Sequence, residues 1–281
     1  MAADGAFPVV VAPRGAADSR AQVRPKKAAS FGPVARFLAY SSPFFAALAG
    51  YEILRRLVRY RGEIHVGDLF DLEARLFGVS TAAGTQALSE VIARHQHVIL
   101  DVICGATYLL FLPELFGLAA LMFFRARHRM LALAFCFLFA NLIGWSIWLL
   151  YPAAPPWYVD AFGTGPAILS TPSNPAGLSR LDALLGVPLA QAFYSGSANV
   201  FGAMPSLHVA YATMVAWVMF PLRGSLRVGT LLYAISMAFS AIYLRHHYIL
   251  DVLAGLLLAV PVAWVSTRLA ARIDRRELGA S

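Results

Sequence analysis

The sequence predicts an all-α integral membrane protein with six transmembrane helices and a capping loop on the external face. Three observations carry that prediction. Hydrophobic residues make up 59% of the 281 positions and charged residues only 14%, against the roughly 25% charged expected of a soluble domain. The apolar residues gather into runs long enough to cross a bilayer. The 23 Lys and Arg side chains lie in short clusters between those runs, as topology signals do, so a net charge of +8 argues against nucleic acid as a partner.

Residues 1–30 are rich in Ala, Pro, Gly and basic residues and lack an apolar run of signal-peptide length, which predicts a disordered cytoplasmic tail. Residues 31–97 form a second unit. Its span, from Val34 to Leu57, ends at Arg55, Arg56, Arg59 and Arg61. An amphipathic stretch follows, with Leu69, Phe70, Leu72, Leu76 and Phe77 interleaved with Asp68, Asp71, Glu73 and Arg75, the pattern of a segment lying in the membrane interface. His65, His95 and His97 read as polar residues of that interface.

The catalytic membrane unit is predicted over 98–272, before a short cytoplasmic tail, 273–281. Its first span, Val98 to Phe124, carries Asp101, Tyr108 and Glu114 and runs into Arg125, Arg127, His128 and Arg129, a cytoplasmic loop by the positive-inside rule. The next span, Met130 to Tyr151, returns to the outside. The connection from Pro152 to Gly202 holds a single base, Arg180, and is predicted to be external, with a short helix after Gly177 lying across the site. Spans from Pro205 to Pro221, Val228 to Leu244 and His247 to Leu269 complete the set. Arg223 and Arg227 mark a cytoplasmic turn, and Arg268, Arg272, Arg275 and Arg276 a cytoplasmic C-terminus. Cys104 and Cys136 lie inside apolar spans without metal-ligand spacing, so they read as small hydrophobes and no metal is implied.

This topology brings His208 and His247 to the external face. A helix beginning near Arg245 would place His247 and Asp251 at i and i+4, about 5–6 Å apart at Cβ, where a carboxylate stabilises a charged imidazole. His208 closes Pro205-Ser-Leu-His208 at the start of another apolar segment. Two histidines and a carboxylate supply a nucleophile, its orienter and a general acid. Ionisable groups at membrane helix ends are costly and mark function.

Pro205-Ser-Leu-His208 followed by His247-Tyr-Ile-Leu-Asp251 resembles the second and third motifs of the type 2 phosphatidic acid phosphatase (PAP2) superfamily. That resemblance implies a PAP2-like bundle and transfer through a phosphohistidine, with His208, His247 and Asp251 catalytic. From Tyr151-Pro-Ala-Ala-Pro-Pro-Trp-Tyr158 through Phe201-Gly-Ala-Met-Pro-Ser-Leu-His208 to Tyr243-Leu-Arg-His-His-Tyr248, the chain is similar to the inositol phosphorylceramide synthases best known from fungi. This implies a phosphatidylinositol-like donor, a ceramide-like acceptor, diacylglycerol release and no cofactor. Trp157, Tyr158, Ser206 and His246 lie in those motifs and are candidate substrate contacts.

The departures bear on chemistry. Gly144 stands where the superfamily's first-motif Lys belongs, Tyr151 where the Arg before Pro152 belongs, and Ala241 where the third-motif Arg belongs. Three phosphate-binding bases are missing, which suits a singly charged phosphodiester better than a monoester. Arg245 and Arg55, Arg56 or Arg59 are the expected substitutes, since a guanidinium matches phosphate. Asp101 and Tyr108 are expected near the headgroup. The rival readings are a lipid phosphate phosphatase and a non-catalytic lipid-binding membrane protein. Preference for Arg over Lys and abundant Ala hint at a GC-rich bacterial genome, hence a bacterial inner membrane rather than a Golgi membrane, with the site on the non-cytoplasmic face.

Overall fold

The computed structural model describes residues 32–279 apart from 83 and 198, so the tail expected over 1–30 lies outside the described residues. The helices are α1 (Pro33–Leu57), α2 (Asp68–Leu76), α3 (Leu88–Arg94), α4 (Val98–Leu109), α5 (Phe111–Arg125), α6 (Arg127–Leu150), α7 (Pro156–Phe162), α8 (Ser179–Leu185), α9 (Leu189–Ser195), α10 (Leu207–Met219), α11 (Ser225–Tyr243) and α12 (Ile249–Gly279). A two-stranded antiparallel hairpin, β1 (Gly78–Thr81) and β2 (Gly84–Ala87), interrupts the amphipathic region.

The chain is a multi-pass membrane protein. Four helical segments are long and apolar enough to cross a bilayer, and α4 with α5 makes a fifth if the pair counts as one span. The pair is bent by 52° at Leu110, where a continuous span was expected. Pro113 explains the break, because its ring has no N–H to donate and crowds the carbonyl four residues back. The span expected from Pro205 to Pro221 corresponds to α10, an apolar helix of only 13 residues. At 1.5 Å per residue it covers about 20 Å of a roughly 30 Å hydrocarbon layer. It is apolar all round and buried on nearly every side, packed among α6, α11 and α12 as the central helix of the bundle.

Successive helices alternate in direction. At one end, Gly62 N–H donates to the Leu149 carbonyl (2.8 Å) and His97 N–H to Tyr243 Oη (3.1 Å), joining the ends of α1, α6, α4 and α11. At the other, Phe37 meets Phe123 edge to face at 5.0 Å, the Arg129 guanidinium donates to the Val218 carbonyl, and His128 lies 3.9 Å from Asp274. Large apolar side chains such as Ile235 and Leu257 stay exposed on the outer faces, the surface that lipid covers.

The connection between α6 and α10 folds over the first end. As the sequence suggested, a short helix, α8, follows Gly177. Gly177 N–H donates to the Leu244 carbonyl (3.0 Å), and a Cβ at Gly177 would lie 2.9 Å from Leu244 Cα. Only glycine lets the cap approach the α11–α12 turn this closely.

Candidate active site

α10 and α12 bring the predicted catalytic residues together. Ser206 caps α10, its Oγ accepting from Val209 N–H (3.4 Å) while its own N–H donates to the Asp251 carbonyl (3.0 Å). One turn beyond Asp251, a Cβ on Gly255 would stand 2.5 Å from the Ser206 carbonyl oxygen, so that glycine permits α12 to cross the start of α10 at near contact. Gly144 serves the same crossing from α6, since a side chain there would strike Leu207 at 2.7 Å. The position where the superfamily carries Lys is therefore filled by Leu207.

The turn between α11 and α12 differs from expectation. α12 begins at Ile249, not near Arg245, because Arg245 takes a left-handed conformation (φ 61°) that ends α11. His247 thus precedes the helix, and its N–H and that of His246 both donate to the Ala241 carbonyl (3.0 and 3.2 Å). Asp251 Oδ2 caps the new helix by accepting from Tyr248 N–H (2.8 Å) and lies 3.5 Å from His247 Nδ1.

His247 Nδ1 is also 2.9 Å from the Ala203 carbonyl. Carbonyl and carboxylate can only accept, so Nδ1 carries a proton, and the neutral tautomer this selects has its lone pair on Nε2. His208 sits with its ring centroid 5.9 Å from that of His247, its Nδ1 3.0 Å from Tyr108 Oη and its ring stacked on Tyr108 at 4.2 Å. His246 lies between the rings of Tyr108 and Tyr194 (4.7 and 4.9 Å), with Nε2 3.1 Å from the Pro175 carbonyl. Burial and the neighbouring His247 push His246 down to about 3, so it is a neutral stacking ring at physiological pH.

These groups line a cavity of 420 Å³ whose other walls include Ala47, Leu48, Leu54, Phe137 and Trp145. Three histidines and a few other polar groups in a mostly apolar lining suit a lipid with a polar reacting group. Among the described residues, no three His, Cys, Asp or Glu side chains are grouped to hold a metal ion.

Residues 68–265 match the model of the PAP2 superfamily. The chain belongs to the PAP2 superfamily. It is 40% identical over 230 residues to the phosphoinositol dihydroceramide synthase of Bacteroides thetaiotaomicron, covering 79% of this chain and 74% of that protein. It is 32% identical to the inositol phosphorylceramide synthase of Candida albicans (81% of this chain) and 35% identical to the catalytic subunit AUR1 of Saccharomyces cerevisiae (61% of this chain). The chain spans 47% and 43% of those two fungal proteins. No solved structure gives a significant match.

Several residues proposed from sequence as substrate contacts occupy other places in this PAP2 bundle. Arg245 makes a two-pronged ion pair with Asp160 through Nε and Nη2 (2.7 and 2.5 Å), reaches Ser89 through Nη1, and is 9% exposed. Burial pulls its proton affinity down, but the Asp160 hydrogen bonds and charge outweigh that and hold it above the ordinary value. Asp101 accepts from Arg180 Nε (2.7 Å) and Tyr243 Oη (2.8 Å) and is absent from the cavity wall. Tyr158 is buried and accepts through Oη from Ile168 N–H (2.7 Å), which stiffens the cap. Trp157 and Tyr108 do line the cavity, and Ser206 acts through the cap just described. Arg55 and Arg59 line a second cavity of 590 Å³, which shares Ser173, Ser197 and Val200 with the first, whereas Arg56 faces outward and lines neither.

Glu73 went unrecognised in the sequence. It sits on α2, fully buried, and its Oε2 accepts from Ile249 N–H (2.8 Å) at the first residue of α12. Burial pushes its carboxyl up, partly offset by Ser89 and the Ile249 N–H. The amphipathic segment is thus an anchor for the helix that carries Asp251. His65 belongs to the same scaffold, with its N–H on the Pro152 carbonyl and its carbonyl taking Ala154 N–H (2.8 and 2.9 Å).

Proposed function

We propose that this protein moves a phospho-headgroup, phosphoinositol from a phosphatidylinositol-like donor, to the hydroxyl of a ceramide-like lipid and releases diacylglycerol. The observation that carries the reading is the pairing of His247, proton fixed on Nδ1, with His208 across one lipid-sized cavity. The names of the bacterial and fungal relatives support the choice of lipids.

His247 Nε2 attacks the diester phosphorus. A P–N bond forms, the bond to the diacylglycerol oxygen breaks, and His208 delivers a proton to that oxygen. In the second half, His208 removes the proton of the acceptor hydroxyl, whose oxygen attacks phosphorus and releases His247. Asp251 stabilises the positive charge that grows on His247. Purified protein incubated with labelled phosphatidylinositol should form labelled phosphoinositol-ceramide only when ceramide is added. Release of water-soluble inositol phosphate as the main product, whether or not ceramide is present, would make it a hydrolase instead.

We propose that the site faces the non-cytoplasmic side, a reading supported by Arg125, Arg127, Arg129, Arg223, Arg227, Arg268 and Arg272 at the opposite end of the bundle, while Arg55, Arg56, Arg59 and Arg61 at the end of α1 run against the charge rule. Cys104 and Cys136 are buried, so cysteines introduced at Thr164 and Ser225 report cleanly on sidedness. Thr164→Cys should label from outside in intact cells and Ser225→Cys should not. The reverse pattern would invert the topology.

A further inference from the structure

Two buried N–H groups in the cavity wall, Trp148 Nε1 and Asn199 Nδ2, have no hydrogen-bond partner among the described residues. An indole nitrogen only donates. The Asn199 amide is oriented by its other end, where Oδ1 takes hydrogen bonds from Arg61 Nη1 (3.3 Å) and Phe201 N–H (3.1 Å). Nδ2 is therefore the end without a protein acceptor.

Both groups line the same cavity as His247. A Cβ on Gly202 would lie 3.0 Å from Trp148 and 3.2 Å from Asn199 Nδ2, and the next residue, Ala203, gives its carbonyl to His247 Nδ1. Two free donors and the attacking imidazole thus flank one pair of adjacent residues. A buried donor without a partner is destabilising, so two of them on one wall point to an acceptor supplied by a ligand.

We propose that Trp148 Nε1–H and Asn199 Nδ2–H are donors to the non-bridging oxygens of the reacting phosphodiester, standing in for the superfamily bases that Gly144, Tyr151 and Ala241 replace. Arg61 acts through Asn199, its charge polarising the amide from the far side. Neutral donors suit a phosphorus bearing one negative charge, and they are aimed before the substrate arrives, which is where such groups are most effective. The proposal rests on diester transfer at His247.

Trp148→Phe removes the N–H and keeps an aromatic ring. Asn199→Asp keeps the oxygen that Arg61 and Phe201 use and removes the donor. With a p-nitrophenyl phosphodiester, each substitution should lower kcat about 100-fold with little change in KM or in thermal unfolding. Turnover of Trp148→Phe within threefold of wild type would overturn the proposal, as would losses in kcat that track losses in melting temperature. If Asn199→Asp fails to fold, Trp148→Phe decides alone by the same criteria. His247→Ala run alongside separates the two levels. Wild-type turnover independent of His247 overturns diester transfer itself, whereas His247-dependent turnover indifferent to Trp148→Phe overturns only the donor pair.

Discussion

His247→Ala should abolish turnover of both a phospholipid donor and a p-nitrophenyl phosphodiester, since no leaving group compensates for a missing nucleophile. His208→Ala should behave differently. On the phospholipid it should cost about 10²- to 10⁴-fold, the usual worth of a general acid. On the activated donor, whose nitrophenolate leaves without a proton, donor cleavage should fall by less than about tenfold. The distinction follows from position: His247 has Asp251 at 3.5 Å and the Ala203 carbonyl at 2.9 Å holding its proton on the far nitrogen, while His208 has a Tyr108 hydroxyl at 3.0 Å. Activity on the activated donor that survives His247→Ala and dies with His208→Ala would reverse the roles. Asp251→Asn should slow formation of the intermediate severely, because the growing positive charge loses its counter-ion.

Arg245→Gln should destabilise the fold by about 2 kcal/mol, below the usual cost of splitting a fully buried pair because the Asp160 side chain is 45% exposed. Asp160→Asn should cost nearly as much, and the double variant little more than either alone, the signature of two residues acting as one unit. Activity losses should then follow the displaced α11–α12 turn in both single variants and fall on kcat. A phosphate-binding role for Arg245 would show as a raised KM for the anionic donor in Arg245→Gln with no counterpart in Asp160→Asn.

Most of the bundle was legible because hydropathy reports spans directly. The ends of α1, α6 and α11 fall within about three residues of the apolar runs that foretold them. The bend at Leu110 was less visible, since Pro113 sits inside a run that stays apolar on both sides. His208, His247 and Asp251 were legible for chemical reasons, being ionisable groups at apolar helix ends. Their supports were not. Glu73 reads in sequence as one more charge on a polar helix face, and only the fold shows it buried against Ile249 N–H. The partner of Arg245 was invisible for the opposite reason: its place beside two histidines suggested a phosphate ligand, and nothing local pointed to Asp160, 85 residues earlier, which pairs with the guanidinium. Long-range polar pairs of this kind leave no local pattern, whereas a break such as Arg245 at φ 61° can be recognised only once the turn is built.

The central claim is a covalent phosphorus–nitrogen bond at His247. Protein incubated briefly with donor labelled in phosphorus and headgroup, without acceptor, then quenched in alkali, should carry an acid-labile, alkali-stable label on the peptide containing His247. That label should vanish on addition of ceramide and be absent from His247→Ala. Stoichiometric product formation with no labelled protein at any time, or label that persists in His247→Ala, would contradict the account.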